Sequence, residues 1–68
     1  MKMKYDSKVD AVYIELSKGT YKHTRKISDV ILVDEDAKGK VLGIEILDAK
    51  NNITAFNPKN TTFTVQSV

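Results

Sequence analysis

Residues 30–47 read VILVDEDAKGKVLGIEIL, and this stretch decides the fold. It opens with Val30-Ile31-Leu32-Val33, four consecutive apolar residues of which three are β-branched, and such a run is typical of an interior strand. A polar turn that contains Gly39 follows, and from residue 41 onward apolar side chains alternate along another strand. We therefore predict that residues 30–33 form a central strand that pairs with residues 41–48 across the turn at residues 36–40.

A further hairpin is predicted from the residues that precede this stretch. Apolar and polar side chains alternate with a period of two over residues 1–6 and again over residues 12–17. Residues 18–26 are polar and basic without a clear period, residues 49–60 indicate a loop or one short helical turn, and residues 62–66 alternate again. The sequence thus predicts a mostly β protein, α+β at most, with a four- or five-stranded antiparallel sheet of two hairpins plus a C-terminal strand.

Length limits the size of the core. We expect residues 1–68 to form a single domain, and a chain of 68 residues buries only about 60% of the surface that its unfolded form exposes. The sequence has no cysteine, so neither disulfides nor a cysteine-type zinc site can reinforce the fold. The sequence leaves two alternatives for the element that covers the apolar face of the sheet. One is a second copy of the chain, and the other is residues 49–60 folded back with Ile53 and Phe56 as anchors. The side chains expected on this face are Val12, Ile14, Leu16, Leu42, Ile44 and Ile46.

The net charge of +2 is too small to indicate a nucleic-acid-binding protein by itself. Its distribution is uneven, because residues 1–26 carry +4, residues 27–50 carry −3 and Lys59 adds +1. We interpret this pattern as two charged surfaces of one sheet or as complementary surfaces for self-association. The chain has no apolar run of the ~18 residues that a membrane span requires and no signal-peptide pattern at its start, so we expect a cytoplasmic protein.

One turn is similar in its spacing to a calcium-binding loop. Asp34, Asp36, Gly39 and Glu45 fall at the first, third, sixth and twelfth positions of an EF-hand loop. Lys38 takes the fifth position, where its ammonium would repel the ion, and the flanking segments are strands rather than helices. We therefore expect Asp36 and Gly39 to shape a turn, and we predict no metal site and no cofactor.

The sequence contains no arrangement typical of catalysis. Asp6 and Asp10 bracket a hairpin loop, where aspartates commonly close turns. His23 is the only histidine, and there is no cysteine nucleophile, Ser-His-Asp arrangement or Gly-rich phosphate loop. We expect no catalytic residue and no small-molecule substrate, and hence a protein that is not an enzyme.

The remaining candidate site is the basic segment at residues 18–26. Its residues with side chains suited to a partner are Lys18, Tyr21, Lys22, His23, Arg25 and Lys26. Cations next to an aromatic ring suit a protein partner or single-stranded nucleic acid, although the whole chain has only three tyrosines and two phenylalanines. Weak nucleic-acid binding by this segment is therefore the alternative to protein binding.

Several motifs together resemble a known family. They are Tyr5-Asp6, Asp10, Tyr13-Ile14, Thr24-Arg25, Asp34, Asp36, Gly39 and, most specifically, Gly43-Ile44-Glu45-Ile46-Leu47-Asp48-Ala49. Over residues 3–50 the chain resembles the small prokaryotic and phage-associated family catalogued as domain of unknown function 2283. The resemblance implies a short β-rich domain without an established activity, so it assigns no catalytic residue. Lys26 and Lys50 depart from the family's pattern, which often has an acid and a serine at these positions.

From these observations we expect a non-enzymatic protein–protein interaction module that works through a sheet face or an edge strand. A partner or antitoxin-like component of a bacterial or phage gene pair is one form that such a module takes. The expected partner is a second copy or another protein, nucleic acid is the alternative, and no membrane contact is expected.

Overall fold

The computed structural model describes residues 1–59 and 64–67 and contains one antiparallel sheet followed by a short helix. The strands and the helix are β1 (Lys2–Asp6), β2 (Ala11–Glu15), β3 (His23–Lys26), β4 (Ile31–Glu35), β5 (Val41–Ile46) and α1 (Ala49–Asn52). Their spatial order is β1-β2-β5-β4-β3, so β5 occupies the middle of the sheet. The mostly β, antiparallel fold that the sequence predicts is confirmed.

Both predicted hairpins are present in this sheet. β1 pairs with β2, and β4 pairs with β5, where Val33 lies opposite Ile44. β2 also pairs with β5, which joins the two hairpins. β4 therefore lies inside the sheet, although the middle strand is β5. The register between β4 and β5 shifts at Asp34 and Glu35, and this irregularity leaves Leu42 without a partner on β4.

The fifth strand, β3, differs from the expectation for residues 18–26. Its four side chains are polar and exposed, so no apolar alternation marks it in the sequence. It forms because β4 offers it an edge: Arg25 lies opposite Val33, and the Ile27 amide donates to the Ile31 carbonyl oxygen at 2.9 Å. The predicted C-terminal strand falls partly outside the described residues, which omit positions 62 and 63, and residues 64–67 carry no strand.

The sheet has two chemically different faces. Side chains alternate between the faces along each strand, and residues directly opposite each other on neighbouring strands share a face. The apolar face is the one that carries Val12, Ile14, Ile31, Ile44 and Ile46. The charged face is the opposite one, and it carries Tyr13, Glu15, Leu32, Asp34 and Glu45.

The segment after β5 covers one end of the apolar face. α1 is a single turn in which Ala49 is fully buried. The Phe56 ring lies against the Tyr5 ring of β1, with 5.0 Å between the ring centroids, and both Ile53 and Phe56 are half-buried. The cover predicted for residues 49–60 therefore reaches the β1 side of the apolar face.

Candidate functional site

The apolar face consists of rows of side chains that cross the strands. One row contains Tyr5, Val12, Ile46, Ile31 and Ile27. The next row contains Met3, Ile14, Ile44, Val33 and Arg25. Of the six isoleucines in the chain, every one except Ile53 lies on this face. Branched aliphatic side chains in rows of this kind pack well against a second apolar surface.

The perimeter of the apolar face is open to solvent. Leu16 and Ile27, which continue the alternation just beyond β2 and β3, are 41% and 51% exposed. The four isoleucines within the strands are half-buried. In residues 1–59, the contact between Phe56 and Tyr5 covers this face at its β1 side, far from Ile27. A face with exposed aliphatic residues at opposite corners is a candidate for protein docking.

A charge cluster borders the apolar face on its β3 side. Glu35, at the end of β4, is only 7% exposed, and it accepts hydrogen bonds from Arg25, from Nε at 3.3 Å and from Nη2 at 3.1 Å. His23 Nε2 lies 3.1 Å from Glu35 Oε1. The hydrogen bond from Arg25 lowers the pKa of Glu35, in spite of the opposing effect of burial, and it raises the pKa of Arg25. Glu35, which directly precedes the predicted turn at residues 36–40, is thus the counter-charge of β3.

β3 divides the predicted basic segment between the two faces. His23 and Arg25 point to the apolar face, whereas Lys26 points to the charged face, where its Nζ lies 3.3 Å from Asp29 Oδ1. The exposed connection before β3 carries the other three candidates, Lys18, Tyr21 and Lys22. The six candidate residues therefore do not form one continuous basic surface, and Arg25 and Lys26 each have an acidic partner.

A hydrogen-bonded network crosses the charged face. The Thr24 hydroxyl donates to Asp34 Oδ1 at 2.6 Å, and the Tyr21 hydroxyl lies 2.8 Å from Thr24 Oγ1. Burial first, and then the charge of Asp34 and a hydrogen bond to it, raise the pKa of Tyr13. Gly43 makes room for Tyr13, because a Cβ at this position would collide with the Tyr13 hydroxyl and ring. The hydrogen bonds of this network thus join β3 to β4, and the Tyr13 ring of β2 lies over Gly43 of β5.

An open groove lies beside this network. Its volume is about 420 Å³, and its walls include the two tyrosines Tyr13 and Tyr21 together with the opposite charges of Glu15 and Lys18. Within the described part of the chain, no three histidine, aspartate or glutamate side chains converge on a site that could hold a metal ion.

Asp10 connects the first hairpin to α1. Its Oδ1 accepts a hydrogen bond from the Tyr5 hydroxyl at 2.8 Å, and its Oδ2 accepts one from the Lys50 amide at 3.3 Å. The first of these bonds is the main cause of the raised pKa of Tyr5. Asp10 has a φ of 53°, a left-handed conformation that aspartate adopts more readily than most residues. Asp6 closes the turn as predicted, by accepting a backbone amide within it.

Asp36 shapes the turn between β4 and β5, as the sequence predicts. Its Oδ1 accepts the amides of Lys38 and Lys40, each at 2.9 Å, and Gly39 has a φ of 85°. Asp34 belongs to the network on the charged face instead. The carboxylates at the first and third positions of the calcium-like spacing are therefore engaged in separate hydrogen bonds.

These features define a small antiparallel β domain built from a single sheet. Residues 2–50 match the family described as Protein of unknown function (DUF2283), and because they make up most of the chain, the protein belongs to this family. The match includes all five strands and confirms the resemblance noted in the sequence. No curated protein and no solved structure matches the chain. Nowhere in the described residues does a helix have the length and apolar character needed to cross a membrane.

Proposed function

We propose that this protein is a non-enzymatic protein–protein interaction module and that the apolar face is its binding surface. The observation that carries the proposal is the exposure of Leu16 and Ile27 at opposite corners of an aliphatic face. Removing apolar surface from water contributes about 25 cal/mol per Å². An aliphatic face of this kind is therefore more stable when another protein covers it than when water does.

The border of the apolar face also suits a protein interface. Interfaces typically combine an apolar centre with a polar rim that fixes the orientation of the partner, and arginine is enriched in them. Arg25 and His23 supply such a rim, and Glu35 holds both side chains in place. An antitoxin-like component of a gene pair would use this surface to hold its partner.

Weak nucleic-acid binding through residues 18–26 is the alternative. The exposed Lys18 and Lys22, with Tyr21 59% exposed between them, favour it. The ion pairs of Arg25 and Lys26 weigh against it, because they neutralise part of the positive charge. Binding to phosphate weakens steeply as salt increases, whereas burial of apolar surface does not, so a salt series separates the two functions.

Affinity capture with matched baits tests the proposal. Ile27→Glu and Val9→Glu add the same charge at positions that are 51% and 65% exposed, but only Ile27 lies on the apolar face. We expect the wild-type and Val9→Glu baits to retain a protein from the native host, the host's own copy of this chain included, at low and high salt and after nuclease treatment. The Ile27→Glu bait should lose it. The proposal would be contradicted if the Ile27→Glu bait retained the protein as well as the wild-type bait does, or if nuclease treatment abolished retention.

A further inference from the structure

We infer that the partner on the apolar face is a second copy of this chain, packed face to face in a twofold dimer. This inference rests on the proposed function and names the partner of the same surface. Three independent properties of the structure support a second copy: the exposed area, the charge of the face and the position of its centre.

The exposed area is larger than that of a compact monomer. A protein of 7.6 kDa is expected to expose about 4,300 Å². This chain exposes 5364 Å², and the difference, about 1,100 Å², exceeds the ~800 Å² that each partner buries in a standard interface. The radius of gyration is 12.7 Å, against about 11 Å for a compact chain of this length. The exposed connections and residues 64–67 contribute to this excess, and on the apolar face Leu16 and Ile27 are the exposed aliphatic side chains that a second copy would cover.

The charge of the apolar face permits self-association. In a twofold dimer each copy presents the same surface to the other, so a net charge on that surface would repel its own image. Arg25 is the cation within the rows of this face, and Glu35 neutralises it through two hydrogen bonds. The acids Glu15 and Glu45 lie on the charged face and stay in water. A neutral aliphatic face is therefore complementary to its own copy.

The centre of the apolar face lies on the middle strand. Ile44 and Ile46 belong to β5, which has two strands on either side, so a twofold axis beside β5 brings these residues against their own copies. The Phe56 ring lies on top of the face at its β1 side, so this side protrudes further from the sheet than the β3 side. An axis parallel to β5 places this raised side over the β3 side of the other copy, whereas an axis across the strands would stack the raised sides. Two sheets stacked in this way lie about 10 Å apart and share one core.

Sedimentation equilibrium with the matched pair of variants tests the dimer. We expect wild type and Val9→Glu to have twice the monomer mass of 7.6 kDa at micromolar concentration. Ile27→Glu is expected to have the monomer mass while its amide spectrum stays dispersed. A wild-type chain that remains monomeric up to millimolar concentration would overturn the inference. So would a dimer that Ile27→Glu leaves intact.

The wild-type chain supplies a second measurement that depends on no variant. In a mixture of isotope-labelled and unlabelled chains, filtered nuclear Overhauser effects are expected between copies for the methyl groups of Ile27, Ile31, Ile44 and Ile46. A dimer without these effects uses another surface and overturns the inference.

A soluble gadolinium chelate distinguishes failure of the dimer from failure of the proposed function. In a monomer whose Ile31 methyl group relaxes faster with the chelate, the second copy is excluded, but the apolar face remains open to another protein. A monomer whose Ile31 methyl group is shielded from the chelate would overturn both proposals, because the chain then covers the face by itself.

Discussion

The replacement Gly43→Ala is expected to destabilise the domain by about 1–3 kcal/mol, the usual cost of overfilling a packed position. The new Cβ would collide with the hydroxyl and the ring of Tyr13, so the ring has to leave its place over β5. Tyr13 then loses part of the burial that it has in this place. Alanine offsets roughly 0.5–1 kcal/mol of this loss, because glycine weakens a strand. A domain of this length has roughly 3–10 kcal/mol of stability in all, so the loss is readily measured.

A double-mutant cycle shows whether the collision with Tyr13 is the cause. Tyr13→Val removes the ring but keeps a β-branched residue that suits a strand. In that background we expect Gly43→Ala to be neutral or slightly stabilising, which gives a coupling of about 1–3 kcal/mol between the two positions. Urea unfolding followed by far-ultraviolet circular dichroism, at one protein concentration throughout, measures each free energy of unfolding. Gly39→Ala is the control, because its φ of 85° with open space around it predicts a loss that does not depend on Tyr13. Additive effects of Gly43→Ala and Tyr13→Val would refute the reasoning.

Three further predictions concern Glu35, Asp10 and calcium. The pKa of Glu35 is lowered from 4.5 in the folded state, so its ion pair stabilises the protein above that value and this stabilisation is lost as the pH falls through the folded pKa. The urea midpoints of Glu35→Gln and wild type should therefore differ at neutral pH and converge in acid. A difference that stays constant with pH would contradict this. Asp10→Ala should cost about 1–3 kcal/mol by thermal unfolding, because it loses the bonds to Tyr5 and Lys50 and strains a positive φ, whereas Asp10→Asn should cost less. Millimolar calcium should leave the amide spectrum of residues 34–45 and the melting temperature unchanged. The reason is that Asp36 already accepts hydrogen bonds from two backbone amides and Lys38 occupies a ligand position. A saturable shift of the Asp34 and Asp36 amide signals would show a metal site.

The hairpins could be predicted from the sequence because their signals are local. The apolar run at Val30–Val33 and the alternation after the Asp36 turn each lie within a few residues, and turn chemistry fixes their pairing. β3 could not be predicted in this way. Its polar side chains follow no apolar period, and it forms because β4 offers it an edge, where Arg25 meets Glu35, ten residues along the chain. The alternation of Arg25 with Ile27 was a weak signal for it.

The candidate site was less accessible to sequence reasoning than the hairpins. The basic segment stands out in the sequence as one run, but a strand sends successive side chains to opposite faces, so β3 separates Arg25 from Lys26. The bond from the Lys50 amide to Asp10 spans forty residues, and no local pattern reveals it. No local pattern marks Ile27 as a surface residue of this site, and only its position opposite Ile31 places it at an exposed corner of the apolar face.

The stretch that begins at Gly43 acts on function through the register of the sheet. A slip of one residue between neighbouring strands would send every side chain to the other face, so the register decides which surface the domain presents. Tyr13 lies opposite Glu45, and only this pairing brings its ring diagonally over Gly43, the one position on β5 without a side chain. The same register keeps Ile44 and Ile46 together on the apolar face. Because the proposed partner binds only one face, the domain has to present the same side chains on that face in every molecule. The motif that begins at Gly43 therefore supports the proposed docking in two ways: Gly43 fixes the register through the Tyr13 ring, and Ile44 and Ile46 lie on the docking surface itself.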